Sequence, residues 1–309
     1  MLPLVTAVEP CELVAALRVL FAPCLDTESQ VERCLDALTS GELDAAGLLV
    51  IRDDGGVICG AALAQAIPGA LGVVWPPRAD TIRGEDVLCR GACDWLRLRG
   101  VKVCQASASA GEVADMAALE RSGFRHVTQV VLMRRDVDAT RDAEVWDGRC
   151  SPLRVVAYSP GNATEFNEIL LATHRDSLDC PELGGNRTVA EILDGFHRDA
   201  GNAERDWLLL QRKGDPHDAV GVLMFDISTE SNAREIAYLG LIPAARGHGF
   251  GDELVRIAIN EATREEASLT LSVDSRNAPA LRLYRRHGFV ETDRREVWLA
   301  HICLATRST

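Results

Sequence analysis

The stretch Tyr238-Leu239-Gly240-Leu241-Ile242-Pro243-Ala244-Ala245-Arg246-Gly247-His248-Gly249-Phe250-Gly251 decides how the rest is read. An apolar strand pattern runs into a glycine-rich turn. A helix pattern follows at once, with Phe250, Leu254, Ile257 and Ala258 on one stripe. The first turn of a helix offers unpaired N–H groups and a positive dipole end, which suit a pyrophosphate. Glycines let the backbone approach such a ligand without a Cβ in the way. Arg246 adds a cation for charge-assisted contacts. The stretch is not a nucleotide P-loop, because no Gly-Lys-Ser/Thr follows. Nor is it a dinucleotide fingerprint, because Asp252 and Leu254 stand where a third glycine is needed.

Working outward, the residues before the loop predict a helix over Thr164–Thr173, with Asn162 as its cap. A polar passage, His174 to Asn186, leads to a second helix from Thr188. Strands follow at 207–211, 219–227 and 235–242. After the loop helix come a strand at Ser268–Val273, a helix at Ala278–His287 and a strand at Val297–Leu304. Helices alternating with strands in this order predict an α/β (α+β) domain with a mixed, mostly antiparallel sheet flanked by helices. The first half repeats the order: a hairpin over 48–65, a strand at 70–74, a helix at 85–99, a strand at 101–106, a helix at 113–122 and a strand at 127–134. Leu119-Glu120-Arg121-Ser122-Gly123-Phe124 matches Tyr284-Arg285-Arg286-His287-Gly288-Phe289 between helix and strand in both halves. The expected organisation is a domain at 1–137, a linker at 138–152 and a second domain at 153–309.

The second informative block is Asn277-Ala278-Pro279-Ala280-Leu281-Arg282-Leu283-Tyr284-Arg285-Arg286-His287-Gly288-Phe289. Together with Arg246-Gly247-His248-Gly249-Phe250-Gly251, in this order and spacing, it resembles the GNAT superfamily of acyl-CoA-dependent N-acetyltransferases over about 155–304. The resemblance implies two tandem GNAT-like domains and acetyl-CoA as cofactor. It places the coenzyme A pyrophosphate on Arg246 to Gly251 and makes Tyr284 the acid that protonates the departing thiolate. Glu235, eleven residues before Arg246, has the spacing of the base glutamate in the histone-type branch. An amine with a pKa near 10 must lose a proton before it attacks, so a base is required. Alternation along the strand puts Glu235 on the face opposite Ile236 and Tyr238. His174 and Asp179 are alternative bases. Asn277 precedes Ala278-Pro279 and reads first as an N-cap, with cofactor contact second. Main-chain N–H groups of Leu239, Gly240 and Leu241 are candidates for holding the thioester oxygen.

The first half lacks these features. Aligned on the repeat, Arg246 falls on Thr81, Gly251 on Asp86, Tyr284 on Leu119 and Asn277 on Glu112. Two carboxylates, Glu85 and Asp86, stand where a pyrophosphate would lie. The first domain is therefore expected to be a degenerate copy that binds no CoA.

Charge argues against nucleic acid. The chain has 309 residues and a formal net charge of -13, with neither half basic. No apolar run is long enough for a membrane span, and residues 1–10 lack the basic flank of a secretory signal. A cytoplasmic enzyme, monomer or homodimer, is the expectation, with a small-molecule amine or a peptide amine as acceptor. Ten scattered cysteines without a CxxC pair predict buried reduced thiols and no metal site. The competing reading is an acyl-CoA-binding regulatory module without transfer.

Overall fold

A computed structural model describes residues 4–22, 26–109, 116–138, 142, 149–184, 187–196, 203–215, 218–227 and 232–302. Most of the expected linker falls outside them. In chain order the elements are β1 (Thr6–Ala7), α1 (Leu13–Phe21), α2 (Thr27–Ser40), β2 (Leu48–Arg52), β3 (Ile58–Ile67), β4 (Leu71–Val74), β5 (Arg78–Ala79), α3 (Ile82–Leu98), β6 (Val103–Ala108), α4 (Ala117–Arg121) and β7 (Arg125–Arg135). Then come β8 (Leu153–Ala157), α5 (Ala163–Thr173), α6 (Val189–Phe196), α7 (Ala203–Asp206), β9 (Trp207–Arg212), β10 (Ala219–Ile227), β11 (Ala233–Leu241), α8 (Phe250–Arg264), β12 (Ser268–Asp274), α9 (Ala278–Arg286) and β13 (Val290–His301).

The chain divides into two compact units, neither contiguous in sequence. The first comprises residues 1–127, 182–196 and 296–309. Its strands lie in the order β1, β2, β3, β4, β6 and the 296–301 part of β13. All pairings are antiparallel except β4 with β6. Helix α3 covers the sheet with Leu88, Cys89, Ala92 and Leu96, which fall on one face at helical spacing. Helix α6 belongs to this unit too. Lys102 pairs with Glu191 at 2.8 Å, and the Gly69 N–H donates to Asp194 at 2.9 Å. A Cβ on Gly69 would lie 2.8 Å from the Gly195 Cα, so glycine permits this backbone approach.

The second unit comprises 128–181 and 197–295. Its order is β8, β9, β10, β11, β12 and the 128–135 part of β7. The pairings repeat the first unit's pattern: three antiparallel, then parallel for β11 with β12, then antiparallel. The core between this sheet and α8 and α9 holds Leu254, Ile257, Leu269, Leu271, Leu281 and Phe289. The two units are thus one α/β fold twice, a mixed and mostly antiparallel sheet with helices. The repeated hexapeptide also closes both short helices alike. The Phe124 N–H donates to the Leu119 carbonyl, and the Phe289 N–H to the Tyr284 carbonyl, each at 3.1 Å. Gly123 and Gly288 carry the left-handed φ that this turn requires.

Some local expectations change. The Asn162 side chain does not cap α5. It accepts from the Ser159 N–H and donates to the Ala157 carbonyl, holding the preceding turn instead. All eight described cysteines are free, but only Cys89 and Cys104 are buried, while Cys11 and Cys150 are exposed. No helix among the described residues is long and apolar enough to cross a membrane.

Candidate active site

Strands β11 and β12 pair only from Ala233–Ile236 with Ser268–Leu271. Beyond that they part, because β11 continues along β10 to Leu241 while β12 follows β7 to Asp274. The opening is a cleft of about 220 Å3 inside the second unit. Its walls are Ile236 to Leu241 of β11, Leu271 to Val273 of β12, the α9 start with Asn277 and Tyr284, and the 176–179 segment after α5.

One irregularity sets which side chains meet here. In the β10–β11 register Phe225 faces Ile236, yet Met224 faces Tyr238. Ala237 is therefore an extra residue, a β-bulge that reverses the alternation. Met224 and Phe225 are neighbours and point to opposite faces, so Tyr238 and Ile236 do as well. Glu235, opposite Asp226, shares the face of Tyr238. The expectation that Glu235 and Tyr238 lie on opposite faces is corrected by this bulge. Both are on the α5 face, while Ile236, Leu239 and Leu241 pack into the core under α8.

The bulge also arranges the main chain. The Ile242 N–H donates to the Val220 carbonyl at 3.0 Å. By alternation the polar groups of Gly240 also turn to β10, and those of Leu239 and Leu241 turn to the opened side. The Leu241 carbonyl there accepts from Arg246 Nε at 3.1 Å. Gly240 is required for another reason. A Cβ on it would lie 2.7 Å from Thr173 Oγ1 and from Tyr238 Cε1.

Tyr238 is anchored on α5. Thr173 gives its hydroxyl proton to the Leu170 carbonyl at 2.6 Å, so at 2.8 Å it accepts from Tyr238. The His174 ring lies 5.0 Å from the Tyr238 ring. Burial pushes the Tyr238 phenol up to about 12. Tyr284, only 7% exposed, packs against Phe289. Burial, then the charges of Asp179 and Tyr238, raise its phenol above the ordinary value, so it keeps its proton at neutral pH.

The glycine loop leaves main-chain N–H groups at the start of α8 outside the helical hydrogen bonds. Gly247 and Gly249 have φ of +77° and +81°, and a Cβ at either position would point into open space. The first helical donor onto this loop is Asp252, to the Gly249 carbonyl. The preceding N–H groups are thus not spent on the helix. Gly251 serves packing, since a Cβ there would meet Leu283 at 3.1 Å. His248 turns its Nδ1 back to the Arg246 carbonyl and lies parallel to the Phe250 ring at 6.3 Å. The Arg246 guanidinium does not face outward. It donates to the carbonyls of Thr173, Arg175, Asp176 and Leu241, tying the end of α5 to the end of β11. Asn277 Oδ1 accepts from the Ala280 N–H, so it caps α9 at the cleft wall.

Glu235 is placed in the paired part of β11, outside the cleft lining. Asp179 is inside it. The Asp274 N–H donates to Asp179 Oδ1 at 2.8 Å. Asp274 itself is buried and accepts from Thr128 Oγ1, the Cys180 N–H and Arg276. Asp179, Cys180 and Asp274 cluster closely, but these bonds occupy the Asp274 oxygens. Spacing could have ranked Asp179 no higher, because it approaches from a segment far from the loop in sequence. The equivalent helix start in the first unit is bonded differently. Thr81 Oγ1 caps α3 by accepting from the Gly84 N–H, and Arg121 bridges Glu85 and Asp86 at 3.0 and 2.7 Å.

Residues 171–289 match the acetyltransferase (GNAT) family. The chain is 31% identical over 87 residues to N-alpha-acetyltransferase 30 of Saccharomyces cerevisiae, covering 27% of the chain and 49% of that protein. It is 29% identical over 199 residues to mycothiol acetyltransferase of Corynebacterium efficiens, covering 61% and 63%. The chain therefore spans about half to under two thirds of these relatives. A GCN5-related N-acetyltransferase from Sphaerobacter thermophilus shares the fold over 97% of this chain and 95% of its own, with a TM-score of 0.62 at 18% identity.

Proposed function

Residues 171–289 match the acetyltransferase (GNAT) family, and on that premise we propose that the second unit moves an acetyl group from acetyl-CoA to a primary amine. The observation that carries this reading is the cleft where β11 and β12 part. Its lining includes Arg246, which precedes the loop glycines, and the buried Tyr284. Acetyl-CoA fits the loop on structural grounds: two left-handed glycines with open space at the missing Cβ and a helix start with unspent N–H groups. When bound there, it supplies an activated acyl thioester.

The remaining roles belong to the chain. N–H groups of Gly247 to Gly251 hold the pyrophosphate, and Arg246 fixes the loop by its four carbonyl contacts rather than by touching phosphate. The Leu239 N–H, turned to the opened side, donates to the oxygen that gains charge. Tyr284 holds the proton destined for the leaving thiolate. The first unit, its helix start already capped and covered by carboxylates, binds no CoA.

The test is twofold. Calorimetry with acetyl-CoA is expected to show one site per chain. CoA release is then followed over an amine panel of polyamines, amino acids and peptides, with α-amino groups included because one relative is named for them. Binding without turnover on any amine favours the acyl-CoA-binding regulatory reading. No binding at all overturns both.

A further inference from the structure

We propose that Asp179, rather than Glu235, is the carboxylate that receives the acceptor's ammonium group and takes its proton. This rests on the transferase reading above and assigns its base. The carboxylate lines the cleft, whereas Glu235 lies below the bulge, flanked by Asp226 on β10 and Thr270 on β12. Asp179 is also held in place. Its Oδ1 accepts from the Asp274 N–H. The neighbouring Cys180 adopts a left-handed φ of +41°, secured by its N–H to Asp274 Oδ2 at 3.1 Å. A non-glycine residue persists in that conformation only where the surrounding structure fixes the turn.

The charges facing Asp179 suit the role. From β11 and α9 come two phenols, Tyr238 and Tyr284, both kept neutral by burial. At the end of β12, the Asp274 carboxylate is paired with Arg276 at 2.7 Å. The Arg246 guanidinium is committed to carbonyls. On the same segment, Asp176 adds a second carboxylate and His174 lies against Tyr238. No cation in the cleft is committed to Asp179 by an ion pair among the described residues. Asp179 is exposed at the cleft surface, yet the protein packed around its carboxyl disfavours the charged form and raises it; the Asp274 N–H and Arg276 partly offset this, and the Asp274 charge adds to it. A carboxylate moved toward neutrality is a better base for an ammonium than one at its ordinary value.

The step balances simply. The acceptor N–H bond breaks, an O–H bond forms on Asp179, and the nitrogen keeps the electron pair. The ammonium and the carboxylate are both neutralised. The proton passes from Asp179 to water after release, restoring the carboxylate. The acceptor class implied is a primary amine that arrives protonated.

The Asp274 amide reports on Asp179 directly, because it donates to that carboxylate. A pH titration of 15N-labelled full chain, read at this amide, is expected to inflect above the ordinary aspartate range. The inflection disappears in Asp179→Asn. Without an activity assay, Asp179→Asn is also expected to leave the melting temperature at pH 7.5 unchanged or higher, since the Asn oxygen still accepts from Asp274. With an active amine, Asp179→Asn lowers kcat about a hundredfold or more near neutrality, removes the acidic limb of its pH profile, and is partly rescued by Asp179→Glu. An Asp274 inflection at or below the ordinary range overturns the proposal, even where no amine is turned over. So does an acidic limb that survives Asp179→Asn and vanishes in Glu235→Gln. Failure of the transferase reading itself appears separately, as wild-type protein that releases no CoA.

Discussion

Four carbonyls converge on the Arg246 guanidinium, and this convergence separates what a residue's type announces from what its partners make of it. The loop motif identifies Arg246 as a cation near a phosphate site. Its neighbours turn it into a clamp on the last turn of α5, because carbonyls there have no helical partner left. Arg246→Ala is expected to cost about 2–3 kcal/mol in urea unfolding and to weaken acetyl-CoA binding through the loosened loop. Arg246→Lys restores little, since one ammonium cannot reach a fork of carbonyls. Tyr284→Phe should lower kcat with little change in acetyl-CoA affinity, and an unchanged kcat removes Tyr284 from the acid role. Asp274 gives a pH signature. Burial alone raises its carboxyl, but hydrogen bonds from Arg276, Thr128 and the Cys180 N–H override this and hold it at about 2. A carboxyl lowered on folding stabilises the fold above its unfolded value near 4 and loses that contribution as pH falls toward 2. The loss is on the order of 2 kcal/mol, measurable as a falling urea midpoint between pH 5 and pH 2.5. In Asp274→Asn that fall is shallower.

At the scale of elements, β11, α8, β12 and α9 were legible because their apolar periods and the loop glycines agree with each other. The bulge was not. Nothing in Ala233-Arg234-Glu235-Ile236-Ala237 marks an extra residue, since any small side chain fits one, and only the register with β10 reveals it. That single residue decides whether Glu235 and Tyr238 share a face, so a strict period of two placed them apart. Asp179 was legible only as an alternative, because a polar passage carries no period to aim it. Two substitutions test these local requirements. Gly240→Ala forces a methyl against Thr173 and Tyr238 and is expected to cost about 1–3 kcal/mol, read as a lower melting temperature. Gly249→Ala meets open space and suffers only its left-handed φ, about 1–2 kcal/mol, and acts mainly by raising the Kd for acetyl-CoA.

On the scale of the whole molecule, the repeat was legible from one hexapeptide and the matching order of elements. What the order could not tell is which strand completes which sheet. A strand pattern records its own faces, not its partner, and the 128–135 and 296–301 segments have no distinguishing chemistry at their edges. Each unit takes its sixth strand from the sequence half that encodes the other. The fragment 153–309 therefore lacks the strand that covers β12 at Leu269 to Asp274. Expressed alone, it is expected to aggregate or to show reduced β-sheet circular dichroism, since an uncovered edge strand recruits other chains. Calorimetry on the intact chain should still find one acetyl-CoA equivalent, because Arg121 already occupies the carboxylates at the first unit's helix start.

That arrangement of strands also sets a timetable for synthesis. The β6 edge leaves the ribosome long before residues 296–301, its antiparallel partner, have been made. With roughly 190 residues between them and translation at about 5–20 residues per second, the first unit waits about 10–40 s with that edge bare. Residues 128–135 wait as well, made before any strand of the sheet they will join. The nascent chain thus carries two unmatched ribbons for close to half of its elongation. Its yield in a cell should depend on translation speed and on holdase chaperones more steeply than the stability of the finished fold would suggest.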